Sequence, residues 1–451
     1  MNHKETILAK ISKNQEIVGI IGLGYVGLPL AVNFAEAGIK VIGFEKSQKK
    51  ADMVNDGDNY IGDIRDAVLR EVVVEKLTLK ATTDFTRMKE CDALIIAVPT
   101  PLDKFRKPDM SYIESACIDI GKNMKPGTFI SLESTTYPTT TEEFMLPLIK
   151  EYSKQNPLVT RHSSLVTAFS EGTDFWLAYS PERVDPGNKE FHTRNTPKVL
   201  GAMTEDGLTI GEALYLKAID NIHKVSSPRV AEMVKILENT YRLVNISLIN
   251  ELALLAGKMD INIWEVIEAA DTKPFGFQAF YPGPGIGGHC IPLDPFYLEH
   301  IAKKYDFDLS MIHAAGHINM RMPHYMYIKI ATALNKHSKA VNGSNILFIG
   351  VAYKPNINDA RESPALDIMD IVSYKGGNVS YHDPYISNIK TNEGRTFGSI
   401  ELTQETLENT DCVVFTTNHK GFDIEFITER SKLIVDLRNM IEDKGENVYK
   451  L

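Results

Sequence analysis

Cysteine is scarce in this chain. Four occur in 451 residues, at Cys91, Cys117, Cys290 and Cys412, with no C-x-x-C pair or Cys/His cluster among them. That spacing excludes a disulfide framework and any recognisable zinc site. Long apolar runs are missing as well, so no stretch of the sequence reads as a bilayer span. The opening residues, MNHKETILAK, lack the apolar core of a secretory leader. Together these absences point to a reduced, cytoplasmic compartment. Positive charge is in deficit: 49 Lys and Arg stand against 59 Asp and Glu, a formal net charge of -10. A protein that wraps a polyanion is thereby disfavoured, although a local basic pocket for a small phosphorylated ligand is not. There is no short-period repeat and no low-complexity tract.

What is present is an ordinary globular balance, 43% hydrophobic and 24% charged. At roughly 150 residues per domain the length suggests about three domains. From Ile17 to about Ile130, short β-branched runs alternate with helical stretches. Ile17 to Ile21, Lys40 to Phe44, Ala93 to Val98 and Thr128 to Ser131 read as buried parallel strands of a doubly wound α/β sheet. The polar segment from about Ser153 to Gly172 reads as a loop. A strand at Phe175 to Tyr179 then runs into the turn-rich SPERVDPGN. Ser227 followed by Pro228 is a helix start, a hydroxyl cap before a residue that needs no donor. No Gly or Pro interrupts from there to about Leu255. Val230, Val234, Leu237, Tyr241, Val244 and Leu248 recur at helical spacing. Such a face is either core packing or a homodimer interface. The α/β pattern then restarts, with strands at Asn345 to Gly350, Asn378 to Tyr381, Cys412 to Thr416 and Leu433 to Asp436, and a helix at Ser363 to Tyr374. CDALIIAVPT near residue 91 and DCVVFTTNH near 411 look alike, each a strand ending at a ligand edge. The fold expected is two Rossmann-like parallel-sheet domains joined by a central helical domain with a long helix.

Gly22, Gly24 and Gly27 form G-x-G-x-x-G between the strand IVGII and a helical stretch at Tyr25 to Ala37, with a second strand ending at Glu45. In that setting the motif is a dinucleotide fingerprint. Gly22 permits the tight turn, Gly24 lets backbone approach a pyrophosphate, and Gly27 lets helix and strand pack closely. The helix N-terminus offers N–H groups to the phosphates. Glu45 stands where a carboxylate would bind ribose hydroxyls and repel a 2′-phosphate, which favours NAD over NADP; Lys46 beside it works the other way.

The stretch PGPGIGGHCIPLDPFYL, Pro282 to Leu298, leads Gly and Pro into Cys290 and then Asp294. The glycines would let backbone crowd a ligand around a thiol. A thiol suits the oxidation of an alcohol to an acid. It adds to the intermediate aldehyde, gives a thiohemiacetal that can be oxidised again, and leaves as a thioester is hydrolysed. The bland alternative is a buried structural cysteine. His289, adjacent in a loop, is a poor dyad partner for Cys290. His313 and His317 lie one helical turn apart without further ligands and read as helix-surface or core histidines, so no metal is expected.

With the fingerprint, the Gly-Gly-His-Cys loop and the second α/β end together, the chain resembles the UDP-glucose/GDP-mannose dehydrogenase family along nearly its whole length. The residues that carry the likeness are GLGYVGLPL from Gly22, AVPTPL from Ala97, ESTTYP from Glu133, YSPERVDPGN from Tyr179, KILENTYRLVNISLINELA from Lys235, KPFGFQAFYPGPGIGGHCIPLDP from Lys273 and NDARESPA from Asn358. The resemblance implies an NAD-binding domain at 1–210, a central helical dimerisation domain at 211–330 and a UDP-sugar-binding domain at 331–451. It implies catalytic roles for Cys290 as nucleophile, Asp294 in proton transfer and water activation, Lys235 and Asn239 on one helix face, Glu182, and Thr135 holding a water. It implies cofactor contacts at Gly22, Gly24, Tyr25, Val26, Gly27, Glu45, Pro99, Thr100 and Thr135. For the substrate it implies Glu182, Lys235, Asn239, Gly287, Lys354, Arg361 and Arg438. The C-terminal part has no second G-x-G-x-x-G; VAYKPNINDARES follows its first strand instead, and Lys354 and Arg361 there suit a diphosphate.

Within the family the likeness is to UDP-N-acetylglucosamine 6-dehydrogenases. Two departures from UDP-glucose enzymes agree with another sugar: Asp185 only loosely replaces a second glutamate after SPE, and Lys273 stands where an arginine is usual. The expected reaction oxidises the sugar's primary alcohol twice with NAD to give a uronate. UDP-N-acetylmannosamine, UDP-N-acetylgalactosamine and UDP-glucose are the alternative substrates. A one-step hydroxyacid dehydrogenase has no use for Cys290. A non-enzymatic nucleotide-sugar sensor would have no use for Lys235, Cys290 and Asp294 together. A homodimer or higher homo-oligomer is expected, with neither nucleic acid nor membrane as a partner.

Overall fold

The computed structural model describes residues 2–62, 64–101, 107–160, 168–185, 188, 190–288, 291, 294–442 and 445–451. Contacts gather these into two compact units, Met1–Glu238 with Phe296–Phe307, and Asn239–Pro295 with Asp308–Leu451.

The first unit is built on an eight-stranded sheet. Its strands are β1 Ile17–Ile21, β2 Lys40–Phe44, β3 Leu79–Thr82, β4 Ala93–Ile96, β5 Thr128–Leu132, β6 Phe175–Tyr179, β7 Lys198–Ala202 and β8 Ile222–Val225, in the order β3-β2-β1-β4-β5-β6-β7-β8. The first six pair in parallel, β7 runs antiparallel to β6, and β8 is parallel to β7. The order 3-2-1-4-5-6 is the doubly wound arrangement, whose crevice lies between the carboxyl ends of β1 and β4. Both faces of the sheet are covered, which is why the strands read as continuous apolar runs. Ile20 and Ile95 join one apolar cluster, whereas Ile21, Leu94 and Ile96 join the other. Periodicity alone missed β3, β7 and β8. β3 and β8 are short and carry exposed or polar positions, Lys80 in one and His223 and Lys224 in the other. Within the segment expected to be loop, Pro157–Thr160 forms one short helical turn.

The second unit carries β9 Asn345–Ile349, β10 Asn378–His382, a hairpin of β11 Asn388–Lys390 and β12 Thr396–Gly398, then β13 Cys412–Phe415, β14 Ile434–Asp436 and β15 Val448–Lys450. The main sheet is parallel in the order β10-β9-β13-β14-β15. Counted along the chain this is the other doubly wound order, 2-1-3-4-5, with its crevice beyond β9 and β13.

Five helices matter for the sites: α1 Gly27–Glu36, α2 Pro228–Lys258, α3 Asp294–Ala302, α4 Ser310–Lys336 and α5 Pro364–Tyr374. The start of α2 is as expected, with the Ser227 hydroxyl accepting from the Val230 N–H at 3.4 Å. Its buried face is Ala231, Ile236, Leu243, Ile249, Ala253 and Ala256. The stripe singled out by periodicity is a different one. Val230, Leu237, Tyr241 and Leu248 are exposed, Leu237 by 63%. Core packing within this chain does not account for them. No described helix is long and apolar enough to cross a membrane.

Candidate functional site

At the carboxyl edge of the first sheet, β1 turns sharply into α1. Gly22 has φ +93°, and a side chain there would also meet the Ala97 carbonyl at 2.7 Å. A Cβ on Gly27 would lie 1.9 Å from the Gly22 oxygen, so helix and turn touch backbone to backbone. A Cβ on Gly24 would meet no protein atom within 4 Å. Internal packing therefore gives no reason for glycine at Gly24, whereas an approaching ligand does. Val26 precedes the helix and supplies no side-chain cap; Leu28 N–H is taken by the Gly24 carbonyl at 3.0 Å and Pro29 has none, which leaves the Gly27 N–H of the first turn to an anion. Tyr25 is half exposed beside them.

Glu45 directly follows β2, its carboxylate fixed by two backbone donors, Leu23 N–H at 3.3 Å and Ser47 N–H at 3.1 Å. Lone pairs remain on both oxygens for ribose hydroxyls. Lys46 turns its ammonium to the Ser115 hydroxyl at 2.8 Å, so it does not neutralise Glu45. These residues fit a dinucleotide with a free 2′-hydroxyl.

The loops after β4 and β5 are tied together by the Ser134 hydroxyl, which donates to the Val98 carbonyl at 2.7 Å. Pro99 is exposed and Thr100 buried; the Thr100 carbonyl accepts from the Tyr297 hydroxyl at 2.5 Å. Thr135 is half-buried in the same turn. Beneath it lies a charge network that periodicity did not reveal. Glu133 is buried and pairs with Lys198 at 2.5 Å and the Tyr215 hydroxyl at 2.6 Å. Burial pushes the Glu133 carboxyl up, and Lys198 opposes that. The signal available in sequence was a glutamate directly after the apolar strand TFISL. Glu232 of α2 is likewise buried, and its carboxylate accepts from the N–H groups of Thr139 and Thr141 at 2.7 and 2.9 Å.

Glu182 lies just beyond β6, half-buried, with Oε1 accepting from its neighbours' N–H groups at Arg183 and Val184, 2.8 and 2.7 Å. Lys235 reaches the same turn, and its ammonium donates to the Glu182 carbonyl at 2.7 Å. Two expected site residues thus meet in the first unit. Arg183 is held by Glu238 at 2.7 Å, and Asp185 is half-buried nearby in sequence.

In the second unit Asn239 and Asp294 meet. The Asn239 amide donates to Asp294 Oδ2, and both residues are buried, 7% and 4% exposed. Asp294 opens α3, where a carboxylate faces the positive end of the helix. The glycine loop before it is held by two asparagines that sequence reading did not find. Asn250 Oδ1 accepts from Gly283 N–H at 2.9 Å, and Asn319 Oδ1 from Ile286 N–H at 2.6 Å. Added side chains would collide with Arg438 at Gly283 (2.4 Å), and with Tyr353 at Gly287 and Gly288 (2.7 Å each). The glycines expected to crowd a ligand thus also leave room for these protein side chains.

Arg438 follows β14. Its Nε donates to the Thr416 carbonyl at 2.9 Å, and no carboxylate among the described residues pairs with it. Burial lowers its pKa to about 10, which leaves it cationic at neutral pH. Such a cation suits an anionic ligand at this edge. Lys354 is half-buried in the turn after β9. Arg361 is exposed, and its guanidinium forks onto Asp359 at 2.6 to 3.1 Å. His313 and His317 are both exposed on α4, as expected of surface histidines. Cys290 and His289 lie outside the described residues. The three described cysteines are buried, and burial pushes the Cys91 thiol up to about 12 and those of Cys117 and Cys412 higher. None of the three is fit to be a nucleophile.

Comparison with known proteins divides the chain in three. Residues 16–219 match the NAD binding domain of the UDP-glucose/GDP-mannose dehydrogenase family, 229–321 its central domain and 347–443 its UDP binding domain. Protein CapL of Staphylococcus aureus is 34% identical over 96% of this chain and 97% of its own. The UDP-N-acetyl-D-glucosamine 6-dehydrogenase of Pseudomonas aeruginosa is 35% identical over 82% of this chain and 83% of its own. The structure of the UDP-N-acetyl-D-mannosamine dehydrogenase of Pyrococcus horikoshii superposes with a TM-score of 0.85 at 33% identity, covering 96% of this chain and 98% of that one.

Proposed function

Because the chain belongs to the UDP-glucose/GDP-mannose dehydrogenase family and is an NAD-dependent UDP-sugar 6-dehydrogenase, we propose that it converts UDP-N-acetylglucosamine to UDP-N-acetylglucosaminuronate in two oxidations at one site. The observation that carries this reading is the buried hydrogen bond between Asn239 and Asp294, four residues after Cys290. It supports a carboxylate held in a fixed orientation beside the thiol's loop.

Bound at the first sheet's edge by the turn Gly22–Gly27 and by Glu45, NAD supplies the hydride acceptor, one molecule for each oxidation. The remaining work falls to the chain. The Lys235 ammonium stabilises the oxyanion at the sugar's C6. The Cys290 thiolate adds to the C6 aldehyde; the thiohemiacetal is oxidised to a thioester, and water cleaves the C–S bond, releasing the uronate and restoring the thiol. Asp294 takes a proton from that water. Thr135 and Glu182 hold the water and the sugar, Asn239 keeps Asp294 in place, and Lys354, Arg361 and Arg438 serve the diphosphate. Arg361 must leave Asp359 to do so.

UDP-N-acetylmannosamine is the second reading, favoured by the likeness to the Pyrococcus horikoshii enzyme. We further propose a homodimer in the cytoplasm. Exposed Val230, Met233, Leu237, Tyr241, Leu248, Leu252 and Leu255 follow one another on α2 at steps of three, four and seven, which supports a covered face.

The test is NADH formed per sugar consumed across a panel of UDP-sugars. Two NADH per UDP-N-acetylglucosamine, with little from UDP-glucose, is the expected result. One NADH per sugar removes the double oxidation, and tight binding with no NADH makes the protein a sensor. Cys290→Ser should lose uronate formation with NAD binding intact; full uronate production by that variant removes the nucleophile.

A further inference from the structure

We propose that His419 is a positioning residue for the nucleotide-sugar end of the site, held neutral as its Nε2–H tautomer and thereby fixing the turn that carries Tyr353 and Lys354. The inference rests on the reading of the second sheet's carboxyl edge as the place where the UDP-sugar binds.

Three segments converge at that edge. The turn Gly350–Asn356 follows β9, Asp383 follows β10, and His419 follows β13. His419 and Asp383 are both buried. The Asn356 N–H donates to His419 Nδ1 at 2.8 Å. A backbone amide can only donate, so Nδ1 carries no proton. The proton of the neutral ring is then on Nε2, which lies 3.0 Å from Asp383 Oδ2 and donates to it. A doubly protonated ring would leave the Asn356 amide facing another N–H.

Asp383 serves as the second pin. Its Oδ2 also accepts from the N–H groups of Val351 and Ala352, 2.7 and 3.1 Å. Its Oδ1 accepts from those of Tyr385 and Ile386, 2.9 and 3.2 Å. The turn is therefore fastened at its start by Asp383 and at its end by His419, and the imidazole–carboxylate bond joins the two fastenings. Thr417 adds a hydroxyl bond to the Ala352 carbonyl at 2.5 Å, and Asn356 Oδ1 accepts from Lys420 N–H at 2.7 Å. Tyr385 and Phe422 wall the ring at 4.9 and 5.3 Å between centroids.

Between the fastenings stand Tyr353 and Lys354. Tyr353 is the wall against which Gly287 and Gly288 pack. One imidazole thus sets both the cation offered to the diphosphate and the rest position of the glycine loop. His419, Asp383 and the turn they fasten belong to the second unit and the turn Gly22–Gly27 to the first, so UDP and NAD binding serve as separate readouts.

The test uses the full-length protein, UDP as the probe, and two variants. H419F fills the space and keeps the ring contacts but has neither acceptor nor donor. H419Q offers a carbonyl to Asn356 and an N–H to Asp383. Calorimetric titration with UDP should show H419F weakened by about tenfold or more, with the KM for the UDP-sugar raised alike and the KM for NAD unchanged. H419Q should recover most of the loss. Nitrogen-detected NMR of the wild-type histidines should show a neutral ring with Nδ1 unprotonated. Wild-type UDP affinity in H419F overturns the inference, as does a protonated Nδ1, or an equal loss of UDP and NAD binding in both variants. Should H419F not fold, the wild-type tautomer and H419Q still decide. Failure of the wild type to bind UDP would instead overturn the reading of this edge.

Discussion

Gly24 and Gly27 stand three residues apart, yet a methyl group added to either acts for opposite reasons. At Gly27 the new Cβ would lie 1.9 Å from the Gly22 oxygen and 3.2 Å from Ala97 Cβ. Both obstacles belong to the backbone turn and the neighbouring strand, so the turn must retreat by about 1 Å before the contact becomes tolerable. Overpacking of a tight site costs about 1–3 kcal/mol, and a backbone carbonyl as the nearest obstacle puts Gly27→Ala at the upper end. At about 2–4 °C per kcal/mol for a unit of this size, the first thermal transition should fall by about 6–12 °C. At Gly24 there is no atom within 4 Å and the backbone is not left-handed. Gly24→Ala should therefore keep its melting temperature within about 2 °C, since unobstructed surface changes stay within about 0.5 kcal/mol. Its methyl would stand where the pyrophosphate must come, and the Kd for NAD should rise by about tenfold or more. Scanning calorimetry without ligand and titration with NAD read the two effects separately. Wild-type NAD affinity in Gly24→Ala would refute the assignment of this turn to the pyrophosphate. An unchanged midpoint in Gly27→Ala would refute the packing argument.

Glu45→Ala should narrow the preference for NAD over NADP by about tenfold, through loss of a carboxylate that repels the 2′-phosphate; an unchanged ratio removes Glu45 from the site. Leu237→Glu places a charge in the middle of the exposed α2 stripe and should convert a dimer to monomers in light scattering, with NAD affinity retained. A monomeric wild type would remove the dimer, and the stripe would need another partner.

Most of the fold was legible because strands buried on both faces leave an unmistakable record. Ile17–Ile21, Lys40–Phe44 and Phe175–Tyr179 have the boundaries their apolar runs suggested. The edges were not legible, since Leu79–Thr82 and Ile222–Val225 need only one covered side and tolerate Lys80, His223 and Lys224. The family resemblance, rather than spacing, singled out Lys235 and Asn239, one turn apart on α2, and periodicity alone reads them as a polar stripe. Spacing could not find Glu133, Lys198 and Tyr215, or Asp383 and His419. Those groups are 65 and 82, or 36, positions apart in sequence: Glu133 follows β5, Lys198 opens β7 and Tyr215 ends the helix Glu205–Tyr215, while Asp383 and His419 follow the parallel strands β10 and β13. A buried carboxylate announces itself by its partner, and the partner is chosen by topology.

The glycine loop answers to the protein's own packing as well as to the ligand expected there. Its glycines read as room for a ligand around Cys290. In the folded unit Gly283 makes room for the Arg438 guanidinium, Gly287 for Tyr353 Cβ and Gly288 for the Tyr353 ring. Arg438 comes from the end of β14 and Tyr353 from the turn after β9, so the loop is shaped by the carboxyl edge of the second sheet. Asn250 and Asn319 then suspend it from α2 and α4. A side chain at Gly287 would have to displace Tyr353, and with it the turn that Asp383 and His419 fasten. The glycines of this loop are therefore required by the protein's own packing. The chemistry expected of Cys290 depends on that packing, because Gly287 and Gly288, which precede the thiol, are positioned by the carboxyl edge of the second sheet.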